Sequence, residues 1–405
     1  MKRGNQALVK RVSYENPYGD DKVSGACGLF GIMDVSGKRF SGHNIITAIN
    51  NMEERGNGLG AGFAAYGCYP ERADCYAFHV MYTERDTRPQ VETFLRDHFI
   101  LVHAEEVPHQ IASELPHAPL IWRYFLQIDE SREECVVVGE KEYVVRKVME
   151  VNTAGQGAYI YSSGKDMGVF KGVGHPEQIA EYFGVQEYSG YLWTAHTRFP
   201  TNTPGWWGGA HPFGILDWTV VHNGEISSYG TNRRYLEMQG YHCTMQTDTE
   251  VIAYAADSLM RRHKLPVEVA AKIMAPPLWV EIKRMPAQEQ VLYNTLRRVY
   301  SDLLVNGPFT IIIARQGEMI GLADRIRLRP LTAAIAGDRL YLSSEEAPIR
   351  LISPHLDRVW TPLGGEPVIG KLGVALQVPN ASAGGSINWE LKSPPVAVAP
   401  AEMAR

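Results

Sequence analysis

Short apolar runs separated by glycine-rich and polar breaks characterise the first part of the chain. Residues 27–35 form an almost continuous apolar run, which predicts a buried strand. Apolar side chains then recur at helical spacing over residues 42–54, and the glycine-rich residues 55–58 predict the end of that helix. A second strand is predicted at residues 60–66, so the pattern indicates a strand, a helix and a strand in succession.

The middle of the chain shows a weaker pattern. Within residues 85–165 we expect a helix at 91–98, a β-rich run at 134–148 and a strand at 159–162. Because this segment separates two regions with clearer patterns, we interpret it as an insertion.

The pattern is clearer again towards the end of the chain. Residues 309–315, 318–323 and 339–343 are predicted strands that would close a sheet. Before them, residues 287–305 carry apolar side chains at helical spacing, which favours a core helix, with a docking or tunnel-lining helix as the alternative. The pattern as a whole predicts a mixture of α and β structure.

The composition narrows the class of protein. The 405 residues are 45% apolar and 10% aromatic, enough to bury the core of one large domain with insertions or of two smaller domains. A net charge of -5 gives no electrostatic footprint for nucleic acid or an anionic membrane. Five cysteines without a CxxC pair indicate neither zinc nor an iron–sulfur cluster on this chain, and they suit a reducing compartment. We therefore expect a cytoplasmic protein whose partners are small molecules or other proteins.

The first residues resemble neither a signal peptide nor a membrane anchor. Residues 1–26 lack a continuous apolar stretch, and no run in the chain approaches the roughly 18 to 20 apolar residues that span a bilayer. We interpret residues 1–26 as a pro-segment, with a flexible leader that is never removed as the alternative. Cleavage after Ala26 would give Cys27 a thiol nucleophile and a free α-amine, which can act as a base near neutral pH. Without cleavage, Cys27 is only a small apolar residue beside a glycine.

Residues 194–203 and 220–226 carry two candidate binding motifs. In the first, Arg198 follows a predicted strand and could offer a bidentate fork to a carboxylate, although a lone arginine more often forms a surface ion pair. In the second, Asn223 and Gly224 end a predicted strand. Asn-Gly is typical of a hairpin turn, but an amide beside an unhindered N–H can also stabilise an oxyanion.

A third motif begins a predicted helix. Thr247 and Glu250 have the spacing of a capping box, which places Asp248 in the first helical turn. That carboxylate could bind an ammonium group, or it could simply be favoured there by the helix dipole.

In this order and at this spacing, the motifs resemble the class II glutamine amidotransferase domain of the N-terminal-nucleophile hydrolases. Residues 321–331 and 342–347 are similar to two further signatures of that family. The resemblance runs from residue 27 to about residue 372, which leaves residues 373–405 as a C-terminal extension with a disordered end. It implies an α+β fold, a four-layer αββα sandwich in which helices cover two antiparallel sheets.

The resemblance also implies roles for individual residues. Cys27 would attack the side-chain amide of L-glutamine and form a thioester, with its α-amine carrying the proton. Asn223 and Gly224 would bind the oxyanion. Arg198 would bind the α-carboxylate of the substrate, and Asp248 would bind its α-ammonium. This agrees with the residues themselves, because a zwitterionic amino acid requires one fixed cation and one fixed anion.

Three further residues match family positions near the substrate. Thr197 and His211 are expected on the substrate-binding side, where together with His196 they would orient the loops and would not carry protons. Ordinary structural histidines are the alternative at these positions.

The nature of the ammonia acceptor stays open at this stage. The 194–203 stretch looks most like glutamate synthases, so the expected partner is a synthase subunit with flavin mononucleotide and an iron–sulfur cluster, while this chain carries no cofactor or metal. The spacing from Asn223 to Asp248 also looks like glucosamine-6-phosphate synthase and amidophosphoribosyltransferase. The alternatives are a related synthase that makes N-methylglutamate, another amide hydrolase of the N-terminal-nucleophile type working alone, and an unprocessed, inactive regulatory subunit.

Overall fold

The computed structural model describes residues 27–110, 115, 118–200 and 205–377. The predicted leader and the end of the predicted C-terminal extension lie outside the described residues. Among the described helices, none combines the length and the apolar character needed to cross a membrane.

The described strands are all paired antiparallel. In chain order they are β1 (Gly28–Asp34), β2 (Phe40–Ser41), β3 (Ala61–Tyr66), β4 (Tyr76–Tyr82), β5 (Ile100–Glu106), β6 (Leu120–Gln127), β7 (Ala158–Ser162), β8 (Met167–Gly172), β9 (Ser189–Gly190), β10 (Leu192–Thr197), β11 (Phe213–Ile215), β12 (Trp218–Gly224), β13 (Phe309–Arg315), β14 (Glu318–Ala323), β15 (Thr332–Ala336), β16 (Arg339–Ser343), β17 (Arg358–Trp360) and β18 (Val368–Lys371).

The described α-helices lie between and after these strands. They are α1 (His43–Asn50), α2 (Arg88–His98), α3 (Glu133–Val138), α4 (Glu140–Thr153), α5 (Pro176–Phe183), α6 (Tyr229–Met238), α7 (Asp248–Asp257), α8 (Val267–Met274), α9 (Trp279–Ile282), α10 (Ala287–Val299) and α11 (Ala347–Ile352).

Two large sheets form the centre of the molecule. One has the strand order β17-β15-β16-β1-β10-β3-β8, and the other has the order β11-β12-β13-β14-β18. Helices α1 and α5 pack on strands of the first sheet, α11 packs against α1 and β16, and α7 packs on β11 and β12 of the second sheet. The α+β class and the four-layer αββα sandwich that the resemblance implies are therefore confirmed.

The two sheets pack closely because small residues face the interface. A Cβ atom added to Gly31 of β1 would lie 2.8 Å from the sulfur of Met319 in the opposite sheet. Tyr66 of β3 is fully buried, and its hydroxyl donates to the Ala314 carbonyl at 3.0 Å. A buried phenol needs such a partner, so this bond fixes the sheets relative to each other.

A third sheet, with the order β5-β6-β4-β7, occupies residues 76–162 together with helices α2, α3 and α4. It joins the sandwich through contacts of β4 and β7 with β8 and of β7 with β11. The interpretation of residues 85–165 as an insertion stays a prediction.

The β-rich prediction for residues 134–148 is wrong, because this segment forms α3 and α4. Exposed positions at Lys141, Arg146 and Glu150 recur every four or five residues between buried ones, which is helical spacing. The many valines suggested strands, but burial of one helix face outweighs that local preference.

The core interpretation of residues 287–305 is also wrong in part. The helix α10 forms as predicted, but Val291 and Val299 are 67% and 61% exposed. Leu303, in the turn that follows the helix, is buried. Helical spacing therefore identified the helix correctly without showing how much of it is covered.

Candidate active site

A cavity of about 470 Å³ opens where β1 and α7 begin and where β10 and β12 end. Five of the residues predicted for the site line this cavity, namely Cys27, Arg198, His211, Gly224 and Asp248. The structure thus brings together a thiol, a guanidinium and a carboxylate from segments that are far apart in the sequence.

Cys27 immediately precedes β1 and is half-buried. Its thiol accepts a hydrogen bond from the Phe199 N–H at 3.3 Å, and its carbonyl accepts one from Nε of Arg55 at 3.1 Å. Arg55 is held in turn by an ion pair with Glu345 at 2.5 Å. Burial raises the pKa of the Cys27 thiol, while the Phe199 N–H and the charge of Arg198 act in the opposite direction.

Arg198 directly follows β10 and is 4% exposed. Its backbone N–H donates to the Gly60 carbonyl at 2.8 Å, and its carbonyl accepts from the Asn57 N–H at 3.2 Å. Burial lowers the pKa of Arg198, and the negative charges of Cys27 and Asp248 oppose that effect. An arginine remains charged despite such a shift, so a fixed cation lies at the cavity wall.

Asp248 is the first residue of α7. Its carboxylate accepts the Ile226 N–H at 3.0 Å and lies 3.7 Å from Nδ1 of His222. Burial raises the pKa of Asp248, but the His222, Ile226 and Thr249 contacts outweigh it, so the pKa lies below its ordinary value. The carboxylate is therefore ionised near neutral pH and supplies the anion of the cavity.

The capping-box prediction at the start of α7 is half right. The Thr247 hydroxyl accepts the Thr249 N–H at 3.1 Å, as an N-cap should. Glu250 does not reach back to the N-cap. Its carboxylate accepts instead from the N–H groups of Thr244 at 3.1 Å and Met245 at 2.9 Å, which fixes the segment before the helix.

Asn223 and Gly224 form the end of β12 and pair with β13, so they do not form a hairpin turn. Asn223 is buried outside the cavity lining, and its Nδ2 donates to the Ser344 hydroxyl at 3.4 Å. Its Oδ1 has no partner among the described residues. Gly224 has φ of +146° and lies so close to Pro308 that an added Cβ would be 1.9 Å from the carbonyl oxygen, so only glycine fits there.

Three buried histidines lie close together at the cavity, which His211 and His222 line while His196 packs against His211. The ring of His196 stacks on that of His211 with centroids 4.0 Å apart, and its Nε2 donates to the His222 carbonyl at 2.8 Å. Burial lowers the pKa of His196 to about 3 and that of His211 well below its usual range. Both rings are therefore neutral near pH 7, which agrees with a supporting role and not with proton transfer.

Hydrogen bonds define the orientation of His211. Its Nδ1 accepts the His222 N–H at 3.4 Å, so the neutral ring carries its proton on Nε2. That Nε2 lies 3.2 Å from the hydroxyl of Thr249, which lies 3.1 Å from the Nδ1 of His222 and 3.4 Å from Oδ1 of Asp248. This network connects the strand that ends at Gly224 with the start of α7.

Thr197 does not line the cavity. The Thr197 side chain lies between Gly56 and Gly28. A Cβ atom added to Gly56 would lie 2.1 Å from the Thr197 hydroxyl, and one added to Gly28 would lie 2.9 Å from the Thr197 methyl group. The threonine therefore fills the space between β10, β1 and the segment after α1, and it supports Cys27 without reaching into the cavity.

Arg55, His222 and Ser344 also contact the residues of the site, although no sequence pattern predicted a role for them. Arg55 binds the Cys27 carbonyl, and His222 faces Asp248. The Ser344 hydroxyl accepts from the N–H of Leu29 at 3.2 Å and from the amide of Asn223. Each of these contacts joins parts of the chain that are far apart in the sequence. The only sequence signal for these three residues was that they lie in or next to the motifs.

Comparisons with known proteins identify the family of the chain. The family model described as "Glutamine amidotransferases class-II" matches residues 100–356, more than half of the chain. An uncharacterized protein of Archaeoglobus fulgidus is 59% identical over 355 residues, which cover 87% of this chain and 94% of that protein.

Two larger relatives match over part of their length. Glutamine–fructose-6-phosphate aminotransferase (isomerizing) of Zymomonas mobilis is 31% identical over 38% of this chain and 25% of its own length. The large chain of glutamate synthase (NADPH) of Bacillus subtilis is 24% identical over 56% of this chain and 16% of its own length. The chain therefore spans a quarter or less of either protein. On the family match, the chain belongs to the class II glutamine amidotransferases and is an enzyme of that class.

Proposed function

We propose that this enzyme hydrolyses L-glutamine to glutamate and ammonia through a thioester on Cys27, and that it delivers the ammonia to a separate synthase subunit. The observation that carries this proposal is the shared cavity of Cys27, Arg198 and Asp248. It combines a nucleophile with one cation and one anion, which is the complement of a zwitterionic amino acid that carries a reactive amide.

At the head of the substrate, Arg198 would bind the α-carboxylate and Asp248 the α-ammonium. The planar fork of a guanidinium matches a carboxylate in two hydrogen bonds. The depressed pKa of Asp248 supports its part, because a carboxylate must stay ionised to bind a cation. The backbone of Arg198 is held by Gly60 and Asn57, and the Asp248 carboxylate is held by the Ile226 N–H, which limits the reorganisation needed when glutamine binds.

At the amide of the substrate, the thiolate of Cys27 would attack the carbonyl carbon. Asn223 and Gly224 would stabilise the oxyanion, and the α-amine of Cys27 would take the thiol proton and pass it to the departing ammonia. Water would then hydrolyse the thioester to glutamate. Because burial raises the pKa of the thiol, this route requires a nearby base to remove the proton.

This mechanism requires that Cys27 becomes the first residue of the mature chain. Intact-mass measurement of the purified protein tests the requirement. We expect a mass that lacks residues 1–26, together with release of ammonia from glutamine. Retention of those residues without glutaminase activity would support the inactive regulatory subunit instead.

For the acceptor, we propose a glutamate synthase subunit with flavin mononucleotide and an iron–sulfur cluster, which combines ammonia with 2-oxoglutarate. The partial match to a glutamate synthase large chain supports this choice. A synthase that uses methylamine would have the same amidotransferase. Purification from the native source tests the proposal, and the expected companion is a yellow-brown protein with flavin and iron–sulfur absorbance. A colourless companion would contradict it.

A further inference from the structure

Lys171 lies in β8 beneath the candidate active site and is only 2% exposed. It does not line the cavity. Its ammonium donates to the Gly208 carbonyl at 3.0 Å and lies 4.2 Å from the centre of the Phe213 ring. Such a buried charge is costly, so a lysine at this position requires a specific explanation.

The contacts of Lys171 join two segments that flank the cavity. Gly208 is followed by Gly209, where an added Cβ would lie 3.2 Å from Nη1 of Arg198, so this turn packs against the guanidinium. On the other side, the sulfur of Met245, in the segment that leads into Asp248, lies 3.9 Å from the ammonium. One side chain therefore contacts the turn that packs against Arg198 and the segment that leads into Asp248.

The second segment is also fixed from below by Glu250. Its carboxylate accepts two backbone N–H groups of that segment and the hydroxyl of Tyr254 at 2.9 Å. Burial lowers the pKa of Lys171 to about 7, with attraction to Glu250 opposing and the charge of Arg198 reinforcing this shift. His211 is a further titratable group facing Lys171, and the lysine charge helps to keep it neutral.

We propose that Lys171 is a positioning residue: it holds the turn at Gly208, which packs against the Arg198 guanidinium, and the segment that leads into Asp248 at the separation required to bind the head of glutamine. The inference rests on the proposed function, since it assumes that Arg198 and Asp248 bind the two charges of the substrate. Lys171 acts through these segments and does not touch the reacting atoms.

Replacement of Lys171 by methionine tests the proposal, because methionine keeps the length of the side chain and removes the donor and the charge. We expect KM for glutamine to rise about tenfold while kcat changes less than about twofold. Lys165→Met is the matched control, since that lysine is partly exposed and pairs with Glu140. We expect wild-type constants for the control.

Two covalent reagents separate positioning from general damage. A diazoketone analogue of glutamine carries the amino acid head, whereas iodoacetamide alkylates the Cys27 thiol without one. We expect Lys171→Met to weaken inactivation by the diazoketone about tenfold and to leave alkylation of Cys27 by iodoacetamide unchanged. An equal loss with both reagents, or an unchanged KM, overturns the proposal.

Lys171→Gln serves as a second variant in case the methionine variant does not fold. Glutamine can still donate to the Gly208 carbonyl but carries no charge, so we expect a KM about threefold above wild type. A wild-type KM in this variant overturns the proposal. If wild-type enzyme released no ammonia from glutamine, the proposed function would fail, whereas an active Lys171 variant with normal KM would reject only this inference.

Discussion

The two ends of the active-site cavity are built differently. At the proposed amide end, Cys27 immediately precedes a strand of one central sheet, and Gly224, with Asn223 behind the cavity lining, ends a strand of the other. At the head end, Arg198 and Asp248 lie just beyond a strand and at the start of a helix. The backbone of Arg198 bonds to Gly60 and Asn57, and the carboxylate of Asp248 accepts the Ile226 N–H, so both are held by contacts outside the regular strand pairing. We infer that the rigid end serves the chemistry and the loop-borne end serves recognition, so substitutions should separate kcat from KM.

The largest effect is expected from removing the nucleophile. Cys27→Ala should abolish glutamine hydrolysis and leave the fold intact, because the residue precedes β1 and its Sγ contributes no core packing. Ammonia release and circular dichroism check the two parts. Hydrolysis near the wild-type rate would show that Cys27 is not the nucleophile. The proposed division between the two ends of the cavity would then also fail.

Asn223→Ala tests the amide end without touching the nucleophile. We expect kcat to fall by about 10² to 10³, the usual size for the loss of one oxyanion donor, with KM nearly unchanged. Steady-state kinetics measure both constants. A change confined to KM would assign Asn223 to recognition and contradict the division between the two ends.

At the head end, Arg198→Lys should act mainly on KM. An ammonium cannot reproduce the bidentate fork, so we expect KM for glutamine to rise about tenfold or more while kcat falls less. The same assays measure this change. If KM stays at its wild-type value, Arg198 does not bind the carboxylate of the substrate.

Ser344→Ala should have the smallest effect. It tests whether Ser344 orients the amide of Asn223. Its hydroxyl accepts from both Asn223 and the Leu29 N–H, so its loss should let the Asn223 amide move. We expect kcat to fall about fivefold, corresponding to one lost hydrogen bond of about 1 kcal/mol. Combined with Asn223→Ala, the serine change should have no further effect on kcat, whereas additive losses would show that the two residues act independently.

Sequence patterns identified the central strands well for a physical reason. Residues 309–315, 318–323 and 339–343 are strands with the predicted bounds. These strands are buried between the layers of the sandwich, and burial on both faces requires a continuous apolar run. The apolar run in the sequence therefore predicts the strand directly. Residues 134–148 have only one buried face, and their valines concealed the helical spacing.

The candidate site was predictable to the extent that its residues lie in local motifs. Cys27, Arg198 and Asp248 each stand in a short stretch with its own signal, and the structure places them around one cavity. The residues that orient them carry no such signal. Arg55 stood in a stretch interpreted only as a helix end, and its bond to the Cys27 carbonyl exists only when distant segments fold together.

The described anchors of Cys27 all lie on its thiol and on its carboxyl side. The Phe199 N–H binds the sulfur, and Arg55 binds the carbonyl, while β1 continues from the next residue. Among the described residues, the contacts that hold Cys27 therefore involve its thiol and its carbonyl. Hydrolysis of the peptide bond before Cys27 would leave these contacts in place. The new amino terminus would then form in a site whose described contacts already exist before cleavage.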